Sequence, residues 1–363
     1  LSYPESISSG YGFTAIIVAM TLIFLSSAIG LLDYNLLWVP PTYLWPGIVG
    51  GLIMGVGFIV GGFCPGTSLV AMATGKVDGI FFVLGVLAGI FLFGETVSQF
   101  AVFFESSYMG RFTLPELFGV SYGTVVVAVV VMALFMFWGA EKIEAATRGE
   151  TAQKAPSWAV PAAGGLVALA VITLVVGQPS NADRWKMIEA EQTALLDERS
   201  VQIEPAELFG LVHDSQIRAI MLDVREERHY NQFHIHNARL VAMDQLTAIA
   251  DQLMQEPANT VFVTMSNDEE RATEAWKILK AESLPNVYIL EGGVNNWIRT
   301  YGDHSFVQEN FLADHEDDQP AFRFDFAIGS RHPAAEPIAH SEVEFEPKVK
   351  LELKRAPTGG GCG

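Results

Sequence analysis

From Phe13 to Leu32 the chain runs for twenty residues without a charge, and four more apolar runs follow before position 180. At about 1.5 Å per helical residue, roughly 20 residues cross the ~30 Å hydrocarbon core of a bilayer. Inside that core the backbone must satisfy its own hydrogen bonds, which restricts a spanning segment to a helix or a closed barrel strand. The later runs are Leu44 to Phe63, Ile80 to Phe104, Leu117 to Ala140 and Trp158 to Gly177, the second of these interrupted by Glu95. Together they predict a polytopic α-helical membrane bundle of about five spans over residues 1–178. No basic residue precedes the first run and no small-residue cleavage pattern follows it, so it is read as a helix and not as a signal peptide.

Charge divides the chain at the end of the last run. Nine acidic and five basic residues stand before position 180, out of 41 and 22 in the whole, so the remainder carries a net charge of −15. That half is a soluble, acidic domain, a balance that argues against nucleic acid or an anionic lipid surface as its partner. Residues 179–200 are polar with helical spacing and predict an amphipathic connector. Within 201–301, Ile217 to Val224, Thr260 to Met265 and Asn286 to Leu290 have strand character. Met243 to Glu256 and Glu269 to Ser283 have helical spacing. Alternation of this kind predicts a small α/β domain with a parallel sheet covered on both faces. Residues 302–363 are acidic and proline-bearing and predict an extended tail, in which Val343 to Leu353 alternates in a way that suits an edge strand.

In the membrane half, Gly47, Gly51 and Gly55, then Gly57 and Gly61, follow the spacing that lets helix backbones approach closely, so this helix is expected inside a bundle. Gly61 and Gly62 before Cys64, Pro65 and Gly66 must end it. Broken backbone at membrane depth is tolerated where it is buried or lines a polar cavity. A short helix is expected to start near Thr67, capped by it, with its first amides toward Cys64. A helix N-terminus favours anions and lowers a nearby thiol's pKa. Glu95 has two readings, a carboxylate hydrated at the interface or a functional group within the membrane.

Two resemblances follow from these motifs. Asp223 and Arg225 at a strand end, His234 and Ile235, then Leu290, Glu291, Gly292, Gly293 and Trp297 resemble the rhodanese domain over about 100 residues. That family carries a catalytic cysteine after the central strand. Here Met265 is read at that position, followed by Ser266, Asn267, Asp268, Glu269, Glu270 and Arg271. A thioether supplies no thiolate, and the three carboxylates are expected to repel an anionic donor, so the domain is expected to be inactive and the chain not an enzyme. Phe233, His236 and Asn237 replace the family's glycine and proline beside the His-Ile motif. His229, His234 and His236 lack a cysteine companion and are read as structural, with no metal site.

The second resemblance is to the YeeE/YedE-type sulfur-transport family. It rests on Gly62, Cys64, Pro65, Gly66, Thr67, Gly75 and Lys76, over roughly the first 140 residues and as a single repeat. The resemblance implies a thiosulfate-like sulfur oxyanion passing Cys64, with Pro65, Gly66, Thr67, Ser68, Gly62, Lys76 and Glu95 as pathway residues. It also implies a second copy or another membrane subunit as partner, with a sulfurtransferase as a docking partner for the soluble domain. The alternative is a non-transporting scaffold subunit of a larger membrane complex, one that carries no electrons itself because no heme, flavin or cluster motif occurs. Cys362 in the Gly-rich terminus is either a candidate sulfur carrier or an incidental thiol, and both cysteines are expected free. The expected location is a bacterial inner membrane. Basic residues nearly tie across the last membrane helix, leaving the side of the soluble domain open, while free thiols favour the cytoplasm.

Overall fold

The computed structural model describes residues 5–34, 37, 39–110, 112–148, 159–337 and 343–352. Before position 200 it contains helices α1 (Glu5–Ala28), α2 (Leu44–Gly61), α3 (Pro65–Ala73), α4 (Val77–Thr96), α5 (Ala101–Phe104), α6 (Leu114–Phe118), α7 (Tyr122–Arg148), α8 (Ala159–Val176) and α9 (Asn181–Asp197). One structural unit is Trp38–Phe118; another joins Leu1–Leu37 to Gly119–Lys354.

In the Trp38–Phe118 unit, α2 ends where Gly62 takes the left-handed φ of 68° that glycine adopts without a Cβ penalty. After Phe63, Cys64 is extended and Pro65 occupies the first position of α3, where a missing N–H costs nothing. A Cβ on Gly79 of α4 would lie 2.7 Å from that of Ala71, so this glycine is what lets α3 and α4 pack so closely. A Cβ on Gly61 would lie 2.3 Å from the Phe82 ring. The remaining glycine expectation is corrected: a Cβ on Gly47, Gly51, Gly55 or Gly57 would meet nothing within 4 Å beyond its own helix, and α2 has no buried residue. The small-residue stripe is uncovered within one chain.

The expected count of about five spans compares with three to four candidates among the described residues. Among the described residues, three helical stretches are long and apolar enough to cross a membrane alone: Leu44–Ala73, Val77–Gln99 and Tyr122–Gly139. A fourth qualifies only as the pair Val160–Val176 and Asn181–Asp197, bent by 82°. In α1 the described apolar stretch is Thr14–Ala28.

In the other unit, α1, α7 and α8 pack around Ile17, Val126, Val130 and Ala170. The chain turns at Gly177 (φ 73°), and Ser180 caps α9 in a reciprocal box with Asp183. The expected connector is therefore a helix, and it is docked. Asn181 Nδ2 donates to the Ile278 carbonyl (3.0 Å), Arg184 pairs with Glu282, and Trp185 meets Trp276 edge-on.

The α/β domain has strands β1 (Gln202–Ile203), β2 (Arg218–Asp223), β3 (Arg239–Leu240), β4 (Thr260–Met265) and β5 (Val287–Leu290). All are parallel, in the order β1-β5-β4-β2-β3. Helices α10 (Pro205–His213), α11 (Glu227–Gln232), α12 (Leu246–Leu253), α13 (Glu270–Ala281) and α14 (Gly293–Tyr301) lie between and after the strands. Every residue of β4 and β5 is buried, as central strands of a doubly covered sheet should be.

The extended tail is corrected over its described part. After α15 (His304–Asn310) the chain folds back and buries Ala321, Phe322, Ala334 and Ala335 in the domain core. Residues 343–352 form no ladder. Side chains receive this segment instead: Glu207 Oε1 accepts from the Lys348 and Val349 N–H groups (both 2.8 Å), Tyr288 OH from Lys350 N–H (2.8 Å) and Asn286 Oδ1 from Glu352 N–H (2.7 Å).

Candidate functional site

Two places hold the chemistry singled out from the sequence. The first is the break between α2 and α3. Cys64 is the N-cap of α3: Thr67 N–H donates to Cys64 Sγ (3.3 Å) while Cys64 N–H donates to Thr67 Oγ1 (3.0 Å). The Thr67 hydroxyl also lies 3.2 Å from Sγ, and the Ser68 hydroxyl donates to the Pro65 carbonyl (2.7 Å). Thr67 is therefore the third residue of α3 and the partner in a capping box, not the cap. Cys64 is a free, half-buried thiol. The turn thus brings Gly62, Cys64, Pro65, Gly66, Thr67 and Ser68 together. Lys76 stands beyond the far end of nine-residue α3, exposed, before α4. Glu95 is exposed near the end of α4, thirteen residues or about 20 Å along the helix from Phe82, which touches Phe63 beside the break. Neither joins the Cys64 cluster. Cys362 lies outside the described residues.

The second place is the loop after β4. Met265 is the last residue of β4, wholly buried, and pairs in register with Asp223. Its side chain belongs to the core, so the position read as replacing the catalytic cysteine is corrected: the loop proper starts at Ser266. The Ser266 hydroxyl is buried and accepts Ala272 N–H (3.2 Å). The loop turns its carbonyls toward α14, where Val294 N–H donates to Ser266 O and Asn295 N–H to Asn267 O (both 2.9 Å). Gly293 makes this possible, since a Cβ there would lie 2.0 Å from Asp268 O.

Beneath the loop, Arg225 forms a buried bidentate pair with Asp223 (2.6 Å at the closest) and donates to the Phe233 carbonyl and to Asn267 Oδ1. Asn267 Nδ2 reaches His229 Nδ1 (3.2 Å). Burial, aided by the Arg228 charge, pulls His229 below the ordinary imidazole range against the opposing pull of Glu226. Two of the three loop carboxylates have partners. Asp268 accepts from Asn295 Nδ2 (2.8 Å) and Asp318 N–H (3.1 Å), and Glu269 from Arg199 Nη2 (2.8 Å) and Gly292 N–H (2.7 Å). Arg271 is partly exposed, with Glu226 3.9 Å away. A cavity of about 300 Å³ opens here, lined by Arg225, Arg271, His229 and Asn267 and by the acidic residues Glu226, Glu270, Glu274, Asp317 and Asp318. His234 stacks on Tyr230, and His236 sits near Glu336 at the surface, so the three histidines serve separate contacts. Arg199, Asn295 and Asp318 were not singled out from the sequence. They lie far along the chain from the loop they serve, and no local motif marks them.

With both sites described, comparison with known proteins separates the halves. Residues 10–189 match the family model described as sulphur transport. The membrane half is a sulphur-transport domain. Residues 204–300 match the rhodanese-like domain model. A solution structure of a rhodanese-like domain from Anabaena sp. is 19% identical, covering 35% of this chain and 95% of that one at a TM-score of 0.25. At that score it adds nothing to the fold assignment. No curated protein matches the chain.

Proposed function

We propose that the sulphur-transport domain moves a small thiosulfate-like oxyanion across a membrane past Cys64. In this reading the rhodanese-like domain docks a partner or regulates passage and catalyses nothing. The observation that carries it is the position of the one described thiol: it caps a helix at a break in an apolar span, inside a sulphur-transport domain. A helix N-terminus suits an approaching oxyanion, and a thiol there is poised for hydrogen bonding or sulfur exchange. The loop after β4 contributes no thiolate whichever residue heads it, since the chain's two cysteines are Cys64 and Cys362. The hydroxyl of Ser266 is buried and bonded to the backbone, which supports a non-enzymatic role. A bacterial inner membrane with the soluble domain on the reducing, cytoplasmic side is consistent with free thiols.

The second reading, a scaffold subunit, draws support from the uncovered glycine stripe of α2, which suits close packing against another helix. Uptake of labelled thiosulfate by vesicles containing only this protein separates the two. Uptake above protein-free vesicles is expected from a transporter. Absence of uptake, with the protein inserted and folded, favours the scaffold.

A further inference from the structure

Residues 348–352 run along the soluble domain with their main chain held by side chains. Glu207 Oε1 accepts from two successive N–H groups, those of Lys348 and Val349. Tyr288 OH accepts from Lys350 N–H and donates to the Lys350 carbonyl (3.1 Å). Asn286 does the same for Glu352, accepting from its N–H and donating to its carbonyl (3.2 Å). Asn286 and Tyr288 are two residues apart, so their side chains leave one face of the sheet and meet alternate residues of the segment, the spacing of an extended chain antiparallel to β5. Contacts of this kind recognise a main chain whatever side chains it carries. Selectivity comes from the Lys348–Val349 step. Lys348 Nζ donates to the Gln202 carbonyl (2.7 Å) beside Glu291 Oε2 (3.3 Å), and Val349 packs on the domain core.

Around Lys348 the domain offers more acceptors than this segment uses. Glu207 is 3% and Gln202 4% exposed. Glu207 Oε2 and Gln202 Oε1 nonetheless have no hydrogen-bond partner among the described residues. Buried acceptors without donors are costly and rare, and both belong to the residues that hold Lys348. An ammonium carries three N–H donors on one nitrogen, whereas a guanidinium spreads five over a planar fork. The chain's own lysine is therefore an incomplete occupant, and an arginine in its place would meet acceptors that it leaves empty.

We propose that this groove is the docking site for an extended segment of a partner protein that carries an arginine followed by an apolar residue, and that residues 348–352 fill it in cis until displaced. Charge favours such a partner, since Glu207 and Glu291 flank the basic position in an acidic domain. The proposal rests on the docking role given above to the soluble domain and not on passage past Cys64, and its test reads binding without transport. A soluble domain that docks its partner elsewhere would fail this test and keep that role. Fluorescence anisotropy of labelled synthetic peptides with the full chain in detergent micelles tests it. The peptides are residues 345–352 unchanged, with Lys348→Arg and with Lys348→Glu. The proteins are the wild type and a Lys348→Glu, Lys350→Pro variant, which sets a carboxylate beside Glu291 and removes the N–H that Tyr288 accepts. In the wild type the tethered segment competes at an effective concentration of about millimolar, so the peptides should bind weakly. The variant should bind the Lys348→Arg peptide at least about tenfold more tightly than the wild type does, and more tightly than it binds the unchanged peptide. The Lys348→Glu peptide should not bind. Four results would overturn the proposal. They are no gain in affinity in the variant, equal affinity of the variant for all three peptides, wild-type dimers that the variant loses, which would give the groove to a second copy, and β4 and β5 amides exchanging at the unfolded rate in the variant, which would make the segment a brace of the fold.

Discussion

Asp223 and Arg225 carry the floor of the soluble site as a pair, and neither is stable there alone. Replacing Asp223 by Asn would leave a buried guanidinium with the Phe233 carbonyl and Asn267 as its neutral partners. Removing one member of a buried ion pair costs about 3–5 kcal/mol, and denaturant unfolding of the soluble domain should show a loss of that order. Met265 shows the opposite relation, a residue whose neighbours decide its chemistry. Its side chain is sealed in the core, so Met265→Cys should give no thiosulfate:cyanide sulfurtransferase activity, because the new thiol would meet neither solvent nor donor. Measurable turnover by that variant would mean that β4 ends earlier than described.

At the scale of elements, two histidines couple short helical segments to pH. His229 Nδ1 faces Asn267 Nδ2, and His332 Nδ1 accepts Ala334 N–H (3.1 Å), capping the turn at Pro333–Ala335. Protonation at Nδ1 would break either bond. Burial lowers both pKa values, with Arg228 assisting at His229 and Asp303 opposing at His332. A depressed folded pKa means that the unfolded chain takes up protons first, so this contribution is complete above the unfolded value of about 6.5 and is lost as pH falls through the folded values. The melting temperature of the soluble domain should therefore fall less between about pH 7 and pH 5.5 in a His229→Gln, His332→Gln variant than in the wild type. Equal slopes would contradict the assignment.

Legibility in the sequence follows the same scale. β2, β4 and β5 are readable because buried strands are continuous apolar runs, whereas Gln202–Ile203 and Arg239–Leu240 are too short to show any period. The turn at Cys64 is readable from proline and glycine. Its cap is displaced by three residues from Thr67 because the box is reciprocal and either partner can seem to start it. Asp318 was invisible: its partners lie about fifty residues away, and within an acidic run it resembles solvated charge.

For the whole molecule, the soluble domain is larger than its 100-residue motif. Trp297 Nε1 donates to the Ala334 carbonyl (2.7 Å), and backbone N–H groups of His234 and His236 donate to Gly329 and Ala335. A fragment ending at Tyr301 would strip these partners and expose core around Phe322. It should unfold or aggregate, while a fragment from Ser180 to Leu351 should melt cooperatively; equal stability of the two would show that the residues after Tyr301 contribute nothing to the fold. The central claim, that a sulfur species passes Cys64, is tested most directly by labelled thiosulfate uptake into vesicles holding wild type, Cys64→Ala or Cys64→Ser at equal inserted amounts. Cys64→Ala should reduce uptake to background. Cys64→Ser should recover a fraction of the wild-type rate, since a hydroxyl can donate a hydrogen bond but forms no thiolate at neutral pH. Wild-type uptake by both variants would contradict the account and leave Cys64 as packing at a helix break.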